Sequence, residues 1–249
     1  MEILKQQSKK ERDEQKANNR AVVRVIFWIL VILAIGGSVF ATAKLAKMSK
    51  NSEVAGGTVS QVGPTDHTIG NASSSLVLVE YSDFQCPACK AYSPIVKELV
   101  ATYKDDMLFV YRHFPLYQIH LNARITAQAT EAANNQGKFW EMHDILFANQ
   151  AEWSSKSPSN IEVVLAQYAG QIGLDVEKFK ADLNSVAAKD RVAADLASGM
   201  KAQVGGTPTF FLNGRMLDHE EISTDQKFKA LIDKALADIN SNQATSTVE

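Results

Sequence analysis

The sequence predicts an α/β domain carried behind one amino-terminal transmembrane helix. Three observations lead there. A 19-residue run from Val25 to Ala43 holds no charge, an apolar strand, helix and strand follow one another from Leu76 to Tyr111, and a helical stretch over about 120–201 returns to a strand and hairpin after Thr207. The composition fits a folded chain: of 249 residues 45% are hydrophobic and 22% charged, with 26 Lys and Arg against 28 Asp and Glu. A formal net charge of −2 offers no broad attraction to nucleic acid, so none is expected as a partner.

At about 1.5 Å per residue, Val25–Ala43 spans roughly 28 Å as a helix, close to the ~30 Å hydrocarbon core of a bilayer. The leader, residues 1–24, holds seven basic and four acidic groups, and the positive-inside rule puts it in the cytoplasm with the rest of the chain outside. Ala41-Thr42-Ala43 has the small-x-small form of a cleavage site, so the alternative is a secreted or periplasmic protein after removal of a signal peptide. Both readings export the body of the chain to a compartment where disulfides persist. Residues 44–61, polar and containing Gly56-Gly57, read as a tether.

A folded domain is expected over residues 62–240. Leu76-Val77-Leu78-Val79 reads as a strand buried on both faces. Pro87 then opens a helix whose residues Ile95, Val96, Leu99, Val100 and Tyr103 share one face, and Met107–Tyr111 forms a second strand. Residues 120–201 form a helical block, with Phe139, Trp140, Met142 and Phe147 in its core and a capping box from Ser159 to Glu162. Thr207–Leu212 is a third strand, and Asn213-Gly214 turns it into a short fourth, Arg215–Leu217. Phe228, Leu231, Ile232, Ala235, Leu236 and Ile239 mark a closing amphipathic helix capped by Ser223, and residues 241–249 are expected as a frayed tail.

The two cysteines, Cys86 and Cys89, stand at the junction of the first strand and its helix. A disulfide across two intervening residues constrains the unfolded chain very little, so its value is chemical. At a helix start, unpaired N–H groups and the macrodipole stabilise a thiolate, and only the thiolate attacks a disulfide. Cys86 is therefore the expected nucleophile and Cys89 the shielded, resolving thiol. Haem attachment would need His where Lys90 stands, and a Cys2His2 zinc site does not match His113 and His120, seven positions apart. No cofactor and no metal is expected.

With these residues in view, the sequence resembles the DsbA-like thiol-disulfide oxidoreductases of the thioredoxin superfamily. The likeness is carried by Val77–Phe84 before Cys86-Pro87-Ala88-Cys89, by Tyr111–Leu116, by Gly137–Trp140 and by Gly206–Phe210. It implies a thioredoxin-like fold with an inserted helical domain, a cis Thr207-Pro208 bond lying against the cysteines, and a buried acid at Glu80 that serves Cys89 as a proton acceptor. His113 reads as a structural hydrogen-bonding residue at a strand end. The expected activity is net oxidation of thiols in exported proteins, with a membrane redox partner restoring the disulfide. Several strongly oxidising relatives carry a histidine between the cysteines; Pro87 and Ala88 here imply a moderate oxidant. The alternatives are a reductase or isomerase of the same fold, and a membrane-tethered chaperone in which the cysteines are incidental.

Overall fold

The computed structural model describes residue 59 and residues 61–246, with side chains as far as residue 242. The leader, the expected transmembrane run Val25–Ala43 and the tether as far as residue 58 lie outside the described residues. Among the described residues no helix is long and apolar enough to cross a membrane.

In chain order the elements are β1 (His67–Gly70), β2 (Val77–Ser82), α1 (Pro87–Tyr103), β3 (Leu108–His113), α2 (Ala123–Asn134), α3 (Phe139–Ala148), α4 (Gln150–Trp153), α5 (Pro158–Gln171), α6 (Val176–Leu183), α7 (Val186–Lys201), β4 (Thr209–Leu212), β5 (Arg215–Met216), a 3-10 turn (His219–Ile222) and α8 (Asp225–Ser246). The sheet order is β1-β3-β2-β4-β5. Among the described strands only β2 and β3 run parallel, joined by α1, while β1, β4 and β5 each pair antiparallel with their neighbours. The helices α2 to α7 enter the chain between β3 and β4, which is the expected insertion.

Strand alternation sorts the sheet into two faces. Leu78, Phe109, Tyr111, Phe210 and Leu212 join the larger core with Val96, Leu99, Phe228 and Ile232 of α1 and α8. Val79, Tyr81, Leu108, Val110 and Phe211 form the core of the other face. There α7 lies close because Gly199 has no side chain to hold it off.

Four details differ from the sequence expectations. β1 was not foreseen, since four residues reading His-Thr-Ile-Gly carry no usable periodicity. Helix α5 is entered from Ser157 with Pro158 in its first turn, not through a box at Ser159; proline's preset φ and missing N–H make that the natural first position. Helix α8 is capped by Thr224, whose hydroxyl accepts from the Lys227 N–H at 3.2 Å, one residue after the expected Ser223. Its backbone runs on to Ser246, through most of the tail expected to fray, because extending a nucleated helix adds one hydrogen bond for each residue fixed. The hairpin is as expected: Asn213 and Gly214 have φ of 48° and 84°, the left-handed pair that a two-residue turn needs.

A buried polar clamp ties the edge strand to the insertion. His67 of β1 and His113 of β3 each bring Nε2 to the same Glu131 Oε1 of α2, at 2.6 and 2.8 Å. His113 thus makes the structural hydrogen bond expected of it. Burial raises the Glu131 pKa, but the hydrogen bonds from His113 and His67 outweigh it and hold the group at about 2, below the ordinary 4.5.

Two outcomes follow for stability. A Cβ at Gly199 would lie 2.5 Å from Phe114 Cδ2 and 3.0 Å from Tyr81 Cδ1, both on buried rings. Gly199→Ala should cost about 1–3 kcal/mol from overpacking, offset in part by roughly 1 kcal/mol of helix propensity. Urea unfolding checks this, and an unchanged or raised midpoint would show that α7 yields. Because the folded pKa of Glu131 is depressed, its contribution is fully present above about pH 4.5 and is lost as pH falls towards about 2. Glu131→Gln should remove that acid-side slope from the thermal midpoint.

Candidate active site

Strand β2 delivers the chain to the site and α1 carries it away. Cys86 is the N-cap residue of α1, extended at φ −71° and ψ 123°, with Pro87 in the first turn. Cys89 lies one turn in, on the face that packs against the sheet, and is fully buried, whereas Cys86 keeps 7% of its surface exposed. Both are free thiols. The Cys86 thiol donates to the carbonyl oxygen of Thr207 at 3.2 Å, and the Thr207-Pro208 bond is cis. The Asp83 N–H donates to Cys89 Sγ at 3.5 Å.

The two thiols differ strongly in acidity. Cys86 is pulled down from 9.0 to about 5, chiefly by the hydrogen bond that its thiolate accepts from Cys89; burial opposes this, and the Thr207 hydroxyl and the Cys89 and Ala88 N–H groups reinforce it. The Thr207 hydroxyl is buried with no hydrogen-bond partner of its own, and the contact from Cys86 Sγ is to the Thr207 carbonyl. Cys89 is pushed well up, first by burial and then by the hydrogen bond to Cys86 and the charge of Glu80. Glu80 is itself buried on the same sheet face, with a pKa raised to about 7 by desolvation and by the neighbouring Cys86, against a lowering hydrogen bond from Ser82. The structure therefore gathers Cys86, Cys89, Thr207, Pro208 and Glu80 at one end of the sheet.

A family model described as thioredoxin matches residues 62–234. The chain belongs to the thioredoxin family. Within that family its fold is of the DsbA type. BdbD of Bacillus subtilis, in its oxidised form, is 22% identical, with a TM-score of 0.63 over 73% of this chain and 97% of that one. MdbA of Actinomyces oris, a thiol-disulfide oxidoreductase, is 20% identical, with a TM-score of 0.57 over 73% of this chain and 93% of that one. Among curated proteins, Na(+)/H(+) antiporter NhaA 3 of Salinispora tropica is 41% identical over 150 residues. That stretch is 60% of this thioredoxin-family chain and 22% of the antiporter, so the chain spans about a fifth of that relative's length.

Several supporting residues carry no sequence signal of their own. Gln150 of α4 is buried and donates Nε2 to the carbonyls of Phe84 and Cys86, at 2.7 and 2.9 Å, so the insertion holds the approach to the nucleophile. Asp83, its side chain sealed from solvent, accepts from the N–H groups of Gln85 and Leu116 and binds His120 Nδ1 at 2.6 Å. As for metals, ligand atoms of His67, His113 and Glu131 lie within 4.8 Å of one another. Contacts of 2.6 and 2.8 Å to one shared oxygen are hydrogen-bond lengths, too close to surround a zinc ion bound at about 2.0–2.1 Å to each ligand.

The acidity difference gives a direct test. Alkylation of the reduced protein should modify Cys86 alone, with a rate that rises through about pH 5, while Cys89 stays unmodified. The folded pKa of Cys86 is depressed, so its thiolate stabilises the reduced fold fully above about pH 9 and loses that contribution as pH falls through about 5. The reduced protein should then lose thermal stability relative to the oxidised one over that range. Equal labelling of both thiols would overturn the assignment.

Proposed function

We propose that this chain is an extracytoplasmic thiol-disulfide oxidoreductase that introduces disulfides into exported proteins through Cys86 and Cys89. The single observation that carries the reading is the thiol pair itself. An acidic Cys86 stands at a helix entrance beside the Thr207 carbonyl, and a basic, buried Cys89 stands one turn behind it.

In the oxidised state a substrate thiolate attacks Cys86 Sγ, the Cys86–Cys89 bond breaks, and Cys89 leaves with the electron pair and takes up a proton. A second substrate thiolate then attacks the mixed disulfide and releases the oxidised substrate and the Cys86 thiolate. A low thiolate pKa stabilises the reduced enzyme, which makes its disulfide the stronger oxidant. Glu80 serves Cys89 as proton donor and acceptor. The backbone of Thr207, ahead of Pro208, can pair with an extended substrate segment as an added strand.

The domain works outside the cytoplasm, held by the helix Val25–Ala43 or released by cleavage near Ala43, and a membrane redox partner reoxidises the pair. Ion transport is no part of the proposal, because the antiporter relative is matched over only 22% of its length.

Equilibration of the purified protein with glutathione tests the direction of electron flow. A potential well above that of thioredoxin, about −270 mV, is expected, and a value as low as that would favour a reductase. Cys89→Ser should accumulate substrates as mixed disulfides on Cys86. A variant lacking both thiols that kept full activity towards unfolded chains would replace the enzyme by the chaperone reading.

A further inference from the structure

When a substrate thiolate attacks Cys86, the sulfur that must leave is that of Cys89, and it leaves as a thiolate inside the protein. A charge that forms in a buried place needs a hydrogen-bond donor already waiting for it. The structure puts the Asp83 N–H there, 3.5 Å from Cys89 Sγ. The carbonyl of the same residue accepts from the Cys86 N–H at 3.1 Å, so the Asp83 backbone touches both halves of the redox pair.

The Asp83 side chain holds this backbone in place. Its carboxylate is sealed from solvent and bonded three times. Oδ1 accepts from the Gln85 N–H at 2.8 Å, closing a turn just before the nucleophile. Oδ2 accepts from the Leu116 N–H at 2.9 Å and from His120 Nδ1 at 2.6 Å. Two of these donors are backbone groups, which any residue supplies; the third depends on the side chain at position 120. His120 stands in the connection from β3 into α2, and its ring keeps 16% of its surface exposed. Neither Asp83 nor His120 belongs to the two apolar cores. Burying a carboxylate is costly even when it is fully bonded, and what it secures here is a fixed N–H on the leaving sulfur.

We infer that Asp83 and His120 are a positioning pair for thiol-disulfide exchange: His120 fixes the Asp83 carboxylate, and the Asp83 N–H thereby stays on Cys89 while that sulfur carries charge. The inference rests on the reading of the chain as a thiol-disulfide oxidoreductase. In the step, the substrate thiolate forms a bond to Cys86 Sγ and the Cys86–Cys89 bond breaks. Its electron pair goes to Cys89 Sγ, where the Asp83 N–H meets it before the sulfur is protonated. A better stabilised thiolate leaves faster. The return reaction, in which the Cys89 thiolate attacks the mixed disulfide, passes through the same charge distribution. The pair therefore acts on the rates in both directions and not on the equilibrium, because Cys89 carries no charge in the disulfide and, with its acidity suppressed by burial, none in the reduced protein.

The test uses the full chain. His120→Leu removes the donor at similar volume, whereas His120→Asn keeps an N–H near the position of Nδ1. Reduction of the Cys86–Cys89 disulfide by glutathione should slow by about tenfold in His120→Leu, the size of losing one hydrogen bond to a charged group. Oxidation of the reduced protein by oxidised glutathione should slow by the same factor, leaving the reduction potential unchanged. Cys89 should stay closed to alkylation, and His120→Asn should restore most of the rate. Full-rate exchange in His120→Leu overturns the inference, as does a slowing that shifts the potential, opens Cys89 to alkylation or is equally deep in His120→Asn. If His120→Leu fails to fold, His120→Ala is measured with and without free imidazole, which can enter the partly exposed gap. Restoration of the rate by imidazole supports the pair, and failure to restore it overturns the pair. Absence of any exchange in the unmodified protein would instead overturn the underlying reading, and the pair's role with it.

Discussion

Strand β2 pairs with β3 on one side and β4 on the other, and that register decides which of its side chains face α1. Leu78, Glu80 and Ser82 point to the helix, while Val79 and Tyr81 point to the opposite core. A slip of one residue would exchange the two sets. Glu80 would then lie against α7, and no buried acid would remain near Cys89. The same register ends β2 at Ser82, four residues before Cys86, so the chain turns over Asp83–Gln85 and enters α1 with the nucleophile at its cap. Position in the sheet thus sets the chemistry of residues that touch each other only through the helix above.

The thiol pair gains its asymmetry from burial more than from any charged neighbour. The largest contributors that lower Cys86 are a thiol, a hydroxyl and backbone N–H groups at the helix start. Cys89, three residues on, shares the sequence environment but points to the sheet, where desolvation and the Glu80 charge oppose its ionisation. One turn of helix separates an acid from a base. Burying Glu80 beside Cys89 brings its proton affinity closer to that of a thiol, which is what lets a carboxyl group trade protons with sulfur near neutral pH.

The helical insertion does more than cover the sheet. Gln150 holds the carbonyls of Phe84 and Cys86, and the Gln85 side chain donates to the carbonyl of Ser154. Asn122, at the start of α2, binds Gln85 in turn through its N–H. The loop before the nucleophile is therefore fastened to α2 and α4 by neutral hydrogen bonds, which satisfy the buried carbonyls of Phe84 and Cys86. On the far side of the same block, His67, His113 and Glu131 tie the edge of the sheet to α2, out of contact with the thiols.

The sequence by itself determined the elements and the identity of the reactive pair. Strand and helix periodicities are local, a two-residue hairpin turn is signalled by Asn213-Gly214, and a Cys-x-x-Cys run at a strand-to-helix junction names its own chemistry. Short or boundary features escaped it, namely β1 and the caps at Ser157 and Thr224, because four residues hold no period and adjacent hydroxyl residues compete for one cap. Only the tertiary structure decided what each polar group does. Glu80 is given as a buried acid only by the family resemblance, and nothing in its neighbours along the chain says that α1 and α3 will close over it. Gln150 and Asp83 are ordinary residues until the insertion packs on the loop. Acidity, burial and hydrogen-bond partnership are set by atoms distant in sequence, and those distances exist only once the chain has folded.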